Sequence, residues 1–247
     1  MKSSTRKRWM STAFAGADPG IRALPFVLSL IAGATDIIGF LGLNGLFTAH
    51  ITGNLVILAA HIVVGDATII SYILSVPVFM VVLLLTRLLA GALEGSGVST
   101  LQPLLLVQLL FLLVFLALCV TAGPWSDTNA ILAVVAGMFG VAAMAVQNAL
   151  VQISLKNSPT TAVMTTNVTH FLLDVGGVLV GGDADEVAKA RNRAEHTLPV
   201  IVGFTIGCGI GAACEAAAGL WSLALPTGLG MLAFAMGLVA DARPFAT

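Results

Sequence analysis

Residues 104–118 read LLLVQLLFLLVFLAL, with Gln108 the one polar side chain among them. Widened to its natural limits, 101–122, the run is long enough as a helix, at ~1.5 Å per residue, to cross a hydrocarbon core roughly 30 Å thick. In hydrocarbon an unpaired backbone N–H or C=O has no water to turn to, so such a run must be helical. Its near-uniform aliphatic character predicts a helix that faces lipid.

The rest of the chain agrees with that solvent. Of 247 residues, 58% are hydrophobic and 9% are charged, against about 25% charged in a soluble domain. Mean hydropathy is +1.02. So few charges could not cover a water-exposed surface. Further apolar runs fall at about 24–43, 46–64, 70–93, 129–153, 160–181, 196–218 and 220–240, separated by Gly, Pro and charged residues. The expected fold class is therefore all-α: a polytopic helical membrane protein with six to eight membrane helices or segments.

Two of these runs are unusually polar. The second carries His50, Thr52, Asn54 and His61; the sixth carries Thr161, Thr165, Thr166, Asn167, His170 and Asp174. Each reads as a full helix, a broken helix or a re-entrant segment, since irregular backbone at membrane depth is tolerated where it is buried in protein. The two also match each other. Thr48-Ala49-His50-Ile51-Thr52-Gly53-Asn54 aligns with Thr161-Ala162-Val163-Met164-Thr165-Thr166-Asn167, sharing both Thr pairs, Ala and Asn. The offset is close to half the chain. The expectation is two pseudo-symmetric repeats, one about 24–122 and one about 129–240. They are inverted if each half crosses three times and parallel if it crosses four times.

Domain organisation follows. Residues 1–22, with Lys2, Arg6, Lys7 and Arg8, read as a basic cytoplasmic tail, and 23–241 as a single membrane domain. The polar stretch around 182–195 reads as a loop. Lys and Arg concentrate on one side of either topology, which by the positive-inside rule places both termini in the cytoplasm.

The candidate site comes from polar residues placed deep in the bilayer. Asp36 lies 12 residues after Leu24, about 18 Å into the core at ~1.5 Å per residue. A carboxylate there is costly unless paired or hydrated. A turn at Asn44-Gly45 brings Asn54 back to similar depth. Gln147 and Asn148 stand to Asn167 as Asp36 does to Asn54. The expected substrate-binding set is Asp36, His50, Thr52, Asn54, Gln147, Asn148, Thr165 and Asn167, with Asp36 binding a proton or other cation. Arg87 is expected to snorkel to the membrane surface. Gly203, Gly207 and Gly211, with Glu215 and Gly219, form a small-residue stripe that suits close helix packing, either within the chain or as a homodimer face.

Several classes find no support. No histidine pair has metal-ligand spacing with a third ligand, Cys119, Cys208 and Cys214 are isolated in apolar runs, and a net charge of −1 carries no footprint for nucleic acid. No nucleophile, metalloprotease, Walker or dinucleotide motif appears. The expectation is no enzyme, no cofactor and no metal.

The run Ala32-Gly33-Ala34-Thr35-Asp36, leading to Phe47-Thr48-Ala49-His50-Ile51-Thr52-Gly53-Asn54, resembles the bacterial YoaK (DUF1275) family of small polytopic inner-membrane proteins. Gln147-Asn148-Ala149-Leu150 with Thr161 and Val163-Met164-Thr165 resembles the same family. Thr166 departs from it, where the family tends to have Gly. The resemblance implies a multi-spanning helical fold in the bacterial inner membrane. Its members are labelled permease-like, which implies passage of a small solute or ion by a carrier or a channel-like pore. A non-transporting accessory component is the other expectation.

Overall fold

A computed structural model describes residues 19–65, 70–123, 130–155, 158–161 and 163–242. Most of the basic tail, Lys156 and Arg243 lie outside them. Every regular element among the described residues is helical: α1 Pro19–Gly42, α2 Ile51–Val64, α3 Ile70–Gly95, α4 Leu101–Ala122, α5 Ile131–Ser154, α6 Met164–Val180, α7 Ala184–Ala218, a 3-10 turn Gly219–Leu223, and α8 Ala224–Ala242. Five helical stretches are long and apolar enough to cross a membrane. The fifth, Ala184–Val239, contains α7, the 3-10 turn and α8, and reverses direction at that turn. This is a multi-pass helical membrane protein whose outer faces contact lipid.

Side-chain meetings set the direction of each helix. Let the near end be where α1 starts and the far end where it stops. α1 and α7 run parallel, because Phe26 meets Gly203, Leu30 meets Gly207 and Ala34 meets Gly211. α5 runs against α1: Gly137 faces Leu43 and Leu46, whereas Gln147 reaches the Leu28 carbonyl. α4 runs against α5, with Phe115 at Gly140 and Thr100 hydrogen-bonded to Ser154 at the near end. α8 runs against α4, since Gly230 meets Leu112 and Gly237 meets Leu105. α3 starts at the far end, where the Tyr72 hydroxyl donates to the Asn44 carbonyl.

The two short helices, α2 and α6, each start part-way along the bundle. After α1 the chain turns through Asn44 (φ 54°) and Gly45 (φ 87°), the left-handed turn expected from Asn-Gly. It then descends beside α1, so that Thr48 and Leu46 lie against Gly39, and reaches Asp36 before α2 begins. α2 climbs back, its His61 ring stacked on Tyr72 at 5.3 Å. In the second half the chain turns back after α5 to bring Thr161 against Gln147. α6 then returns to the near end, where Asp174 bonds Arg193 of α7. Six helices run along the bundle, while α2 and α6 start inside it and return to the end from which the chain reached them. α1 begins and α8 ends at the near end. Every Lys and Arg among the described residues lies in the near half.

The helix pairings have an internal correspondence. α1 packs on α7 as α5 packs on α3, α2 lies on α3 as α6 lies on α7, and α4–α5 mirrors α8–α1.

Three expectations need correction. The aliphatic run in α4 faces lipid on one side only: Leu106, Leu110 and Val114 are exposed, but Leu104, Leu105, Gln108, Leu112, Phe115 and Cys119 are buried against α5 and α8. A side-chain pattern with no polar stripe carries no information about which face is buried. The 182–195 loop is the first half of α7. Asp183 stands at its N-cap position, Asp185 and Glu186 occupy its first turn, and Ala, Lys and Arg favour helix there. At 35 residues and ~1.5 Å each, α7 outruns the bilayer, and its polar half extends beyond the near end. Glu186 and Lys189 pair there at 2.6 Å; each holds the other charged, lowering the Glu186 carboxyl and raising the Lys189 amine.

The third correction concerns the glycine stripe. A Cβ at Gly203 would lie 2.8 Å from the Phe26 carbonyl oxygen, and one at Gly211 would lie 2.9 Å from the Ala34 Cα. The stripe is consumed by α1 of the same chain, so no second copy can use it as a homodimer face. Glu215, half-buried, ends the stripe beside Gly42.

Candidate functional site

The first re-entrant segment is tied down by one carboxylate. Asp36, 3% exposed, accepts at Oδ1 from the backbone N–H of Thr48 at 2.8 Å and of Ala49 at 2.7 Å. Longer contacts from the Thr48 hydroxyl and the His50 N–H, both 3.4 Å, converge on the same oxygen. The other oxygen, Oδ2, lies 2.7 Å from His50 Nδ1. The physical reason is local. A chain that stops being helical before α2 leaves N–H groups without partners, inside a bilayer that supplies none. A carboxylate gathers several at once and complements the positive end of α2.

Asn54 completes the hairpin from the other side. Its Nδ2 donates to the Phe47 carbonyl at 2.8 Å, and its Oδ1 accepts the Phe47 N–H at 2.9 Å. Fully buried Asn54 and Thr48 thus belong to one network with Asp36 and His50. The His50 ring is walled by Phe47 and Phe204, at centroid distances of 5.8 and 5.6 Å, and 35% of its side chain remains exposed.

The second half repeats the arrangement with neutral groups. Gln147 Nε2 donates to Thr161 Oγ1 at 2.8 Å and to the Leu28 carbonyl at 2.9 Å. Its Oε1 accepts from Gln108 Nε2 at 2.7 Å. Asn167 Nδ2 donates to the Thr160 carbonyl at 2.7 Å. Buried Gln147, Thr161 and Asn167 occupy the places of Asp36, Thr48 and Asn54. Val163 aligns with His50, so this half has no titratable counterpart.

A family model described as a protein of unknown function (DUF1275) matches residues 24–241, which takes in both re-entrant segments and every crossing helix. The chain belongs to the DUF1275 family. No curated protein and no solved structure matches it.

Of the residues expected to line a site in this DUF1275 protein, five take part in the two networks: Asp36, His50 and Asn54 in one, Gln147 and Asn167 in the other. The networks are separate. Leu28 and Asp36 are eight residues apart on α1, about 12 Å along the helix at ~1.5 Å per residue. Asn148 is buried but spends its Nδ2 on the Met144 carbonyl of its own helix, at 3.1 Å. Thr52 and Thr165 are exposed, in the first turns of α2 and α6. Neither joins a network.

Four participants were not on that expected list. Thr48 and Thr161 lay inside the recognised motifs, and their zero exposure reflects the hydroxyl's role at each chain break. Gln108 was signalled only by being the single amide in an aliphatic run. Phe204 carried no sequence signal, since an aromatic among apolar residues in α7 reads as ordinary packing. Elsewhere, Arg87 lies 3.8 Å from Glu94, both about half exposed, near the end of α3. Among the described residues no three His, Cys, Asp or Glu side chains converge as metal ligands.

Proposed function

We propose that this DUF1275 protein is a permease-like transporter of a small solute or ion across the bacterial inner membrane. The observation that carries the reading is the pair of re-entrant half-helices. Each starts inside the bundle, from opposite ends, at a buried polar cluster. Half-helices of this kind, in inverted halves, are a recurrent way of building a transport site near the midplane. Three crossings per half, the exchanged helix pairings and the shared Thr and Asn bonds support an inverted internal repeat. Asp36, His50 and Asn54 from one half and Gln147 and Asn167 from the other form the polar path, with the acidic Asp36 beside His50 drawing a proton or cation to that half. The protein acts as a carrier, not as an enzyme.

The placement of Lys and Arg supports the orientation. Arg22, Lys189, Arg191 and Arg193 gather toward the near end, which the positive-inside rule makes the cytoplasmic side. Both termini then lie in the cytoplasm.

A second reading is favoured by one specific observation. Asp36, Asn54, Gln147 and Asn167 spend their polar groups on backbone or on each other, as helix-fixing residues in a non-transporting membrane component would. Flux separates the two. Protein in liposomes, screened against ions and small metabolites, should move at least one solute, and Asp36→Asn, equally folded, should not. If wild type and variant are both folded and neither moves anything, the accessory role is the better account.

A further inference from the structure

We propose that the proton-exchanging atom of this protein is Nε2 of His50, and that Asp36 is a positioning residue that holds the imidazole by its Nδ1–H. The inference deepens the transport reading by naming where a proton is held, and it rests on that reading only for its consequence.

The argument starts from the oxygens of Asp36. Oδ1 accepts two short backbone N–H bonds, from Thr48 and Ala49, and is approached by the Thr48 hydroxyl and the His50 N–H. An ionised carboxylate accepts hydrogen bonds only, and such charge-assisted bonds are about twice as strong as neutral ones. Backbone N–H donors cannot be withdrawn without dismantling the start of α2. The negative charge is therefore held in place by covalent neighbours of His50 itself.

Oδ2 then faces Nδ1 of His50 at 2.7 Å, a distance at which one proton lies between them. With Asp36 ionised, that proton belongs to the imidazole. Nδ1–H points at the carboxylate and the ring is fixed as the Nδ1–H tautomer. Nε2 is left with its lone pair, and among the described residues it has no polar partner. The side chain is 35% exposed between Phe47 and Phe204, and Nε2 is the ring nitrogen not spent on Asp36. A proton arriving there converts an anionic pair into a neutral ion pair, which hydrocarbon surroundings favour over an uncompensated charge. No bond to Asp36 has to break.

The surroundings contain little else to confuse the titration. The charged group against His50 is Asp36 from α1; from α7 the ring meets Phe204, and half-buried Cys208 donates from Sγ to the Gly33 carbonyl at 3.5 Å. Glu215 lies toward the far end, beside Gly42. The next histidine on α2, His61, is engaged with Tyr72. The second half offers no rival, because Gln147 and Val163 stand where Asp36 and His50 stand in the first. One proton per chain is the consequence.

The deciding readout is on the wild-type protein. Wild-type protein labelled with 15N-histidine and 13C-aspartate in lipid nanodiscs is titrated by NMR, with His50→Asn and Asp36→Asn identifying the two residues' signals by their loss. The expected result is a neutral His50 with Nδ1 protonated and Nε2 bare, gaining its second proton at Nε2 in a single step on acidification. The Asp36 carboxyl carbon should not respond beyond a small through-bond change. In Asp36→Asn the tautomer lock should be lost, with Nε2–H appearing in the neutral form. A neutral wild-type His50 that carries its proton on Nε2, or a step recorded at the Asp36 carboxyl while the imidazole stays unchanged, overturns the inference. The two claims fail separately. Protein that moves no solute yet shows this titration keeps the His50 assignment and loses transport. Protein whose transport keeps its pH dependence in His50→Asn keeps transport and loses the assignment.

Discussion

Asn54 and Asn167 make the same bond 113 residues apart: each donates from Nδ2 to the carbonyl of the residue seven positions earlier, Phe47 at 2.8 Å and Thr160 at 2.7 Å. Each thereby closes a chain break inside the bundle. The two are not equal in effect. Asn54 also accepts the Phe47 N–H, so its truncation strands a donor as well as an acceptor. Asn54→Ala should destabilise the protein by ~2–4 kcal/mol, from two buried backbone groups at about 1–3 kcal/mol each partly recovered by relaxation. Asn167→Ala should cost about half as much. Thermal or denaturant unfolding in one detergent checks the order, and equal losses would mean the second bond of Asn54 contributes nothing.

Much of this was legible because the bilayer removes alternatives. Polar residues in an apolar run must find partners inside the protein, so Asp36, His50 and Asn54 stood out, and the Thr-x-x-x-Thr-x-Asn match in the other half pointed to Asn167. The turn at Asn44-Gly45 was readable from its dipeptide. What could not be read were choices made by packing. Leu104–Leu118 offers the same surface on every side, so its burial between α5 and α8 depends on neighbours distant in sequence. The Gly203, Gly207 and Gly211 stripe announced a close contact but not its partner. Gln108 meets Gln147 only because α4 and α5 run side by side. Residues 184–198 carried helix signals that their polarity masked.

The α1–α7 contact should be the least tolerant of added volume. A side chain at Gly207 would drive into the Leu30 carbonyl, whereas Gly209, two residues on, has nothing within 4 Å. Gly207→Val should cost ~1–3 kcal/mol or more, the usual range for overpacking, because rigid backbone and not a flexible side chain opposes it. Gly209→Ala should be neutral or stabilising by up to about 1 kcal/mol, from helix propensity. Melting temperatures of the two variants, measured together, check this. Equal tolerance would mean the two helices are further apart than the geometry describes.

Gln108 and Gln147 form a buried amide pair whose members are unequally satisfied. Gln147 uses both ends, while Gln108 Oε1 has no hydrogen-bond partner. Gln147→Leu therefore strands Gln108 Nε2 and the Thr161 hydroxyl, and removes a second bond from the Leu28 carbonyl, and should cost ~2–4 kcal/mol at about 1–3 kcal/mol per unpaired buried group, allowing for relaxation. Gln108→Leu removes one orphan and creates one at Gln147 Oε1, so its cost should be about 1 kcal/mol or less by the same accounting. A double-mutant cycle on unfolding midpoints gives the coupling. Additive effects would show that the bond contributes nothing.

The topology has the clearest test, because re-entrance and crossing place the same residues on opposite sides of the membrane. α2 has 14 residues, about 21 Å at ~1.5 Å each, short of the ~30 Å core, and its His61 stacks on Tyr72 at the end where α1 stops. Single cysteines at Asn44 and Gly65 should therefore react with a membrane-impermeant thiol reagent from the same side, together with one at Gly123. Cysteines at Ser96 and Gly181 should react from the other side. The background would carry Cys119, Cys208 and Cys214 changed to Ala or Ser. If α2 spanned the bilayer, Gly65 would label opposite Asn44, and every later position in the first half would change sides with it. If α6 alone spanned, Gly65 would agree with Asn44 while Gly181 moved to the side of Gly123. The pattern of five positions thus reads the two half-helices independently, and only labelling of Gly65 with Asn44 and of Gly181 with Ser96 is compatible with two re-entrant segments entering from opposite faces.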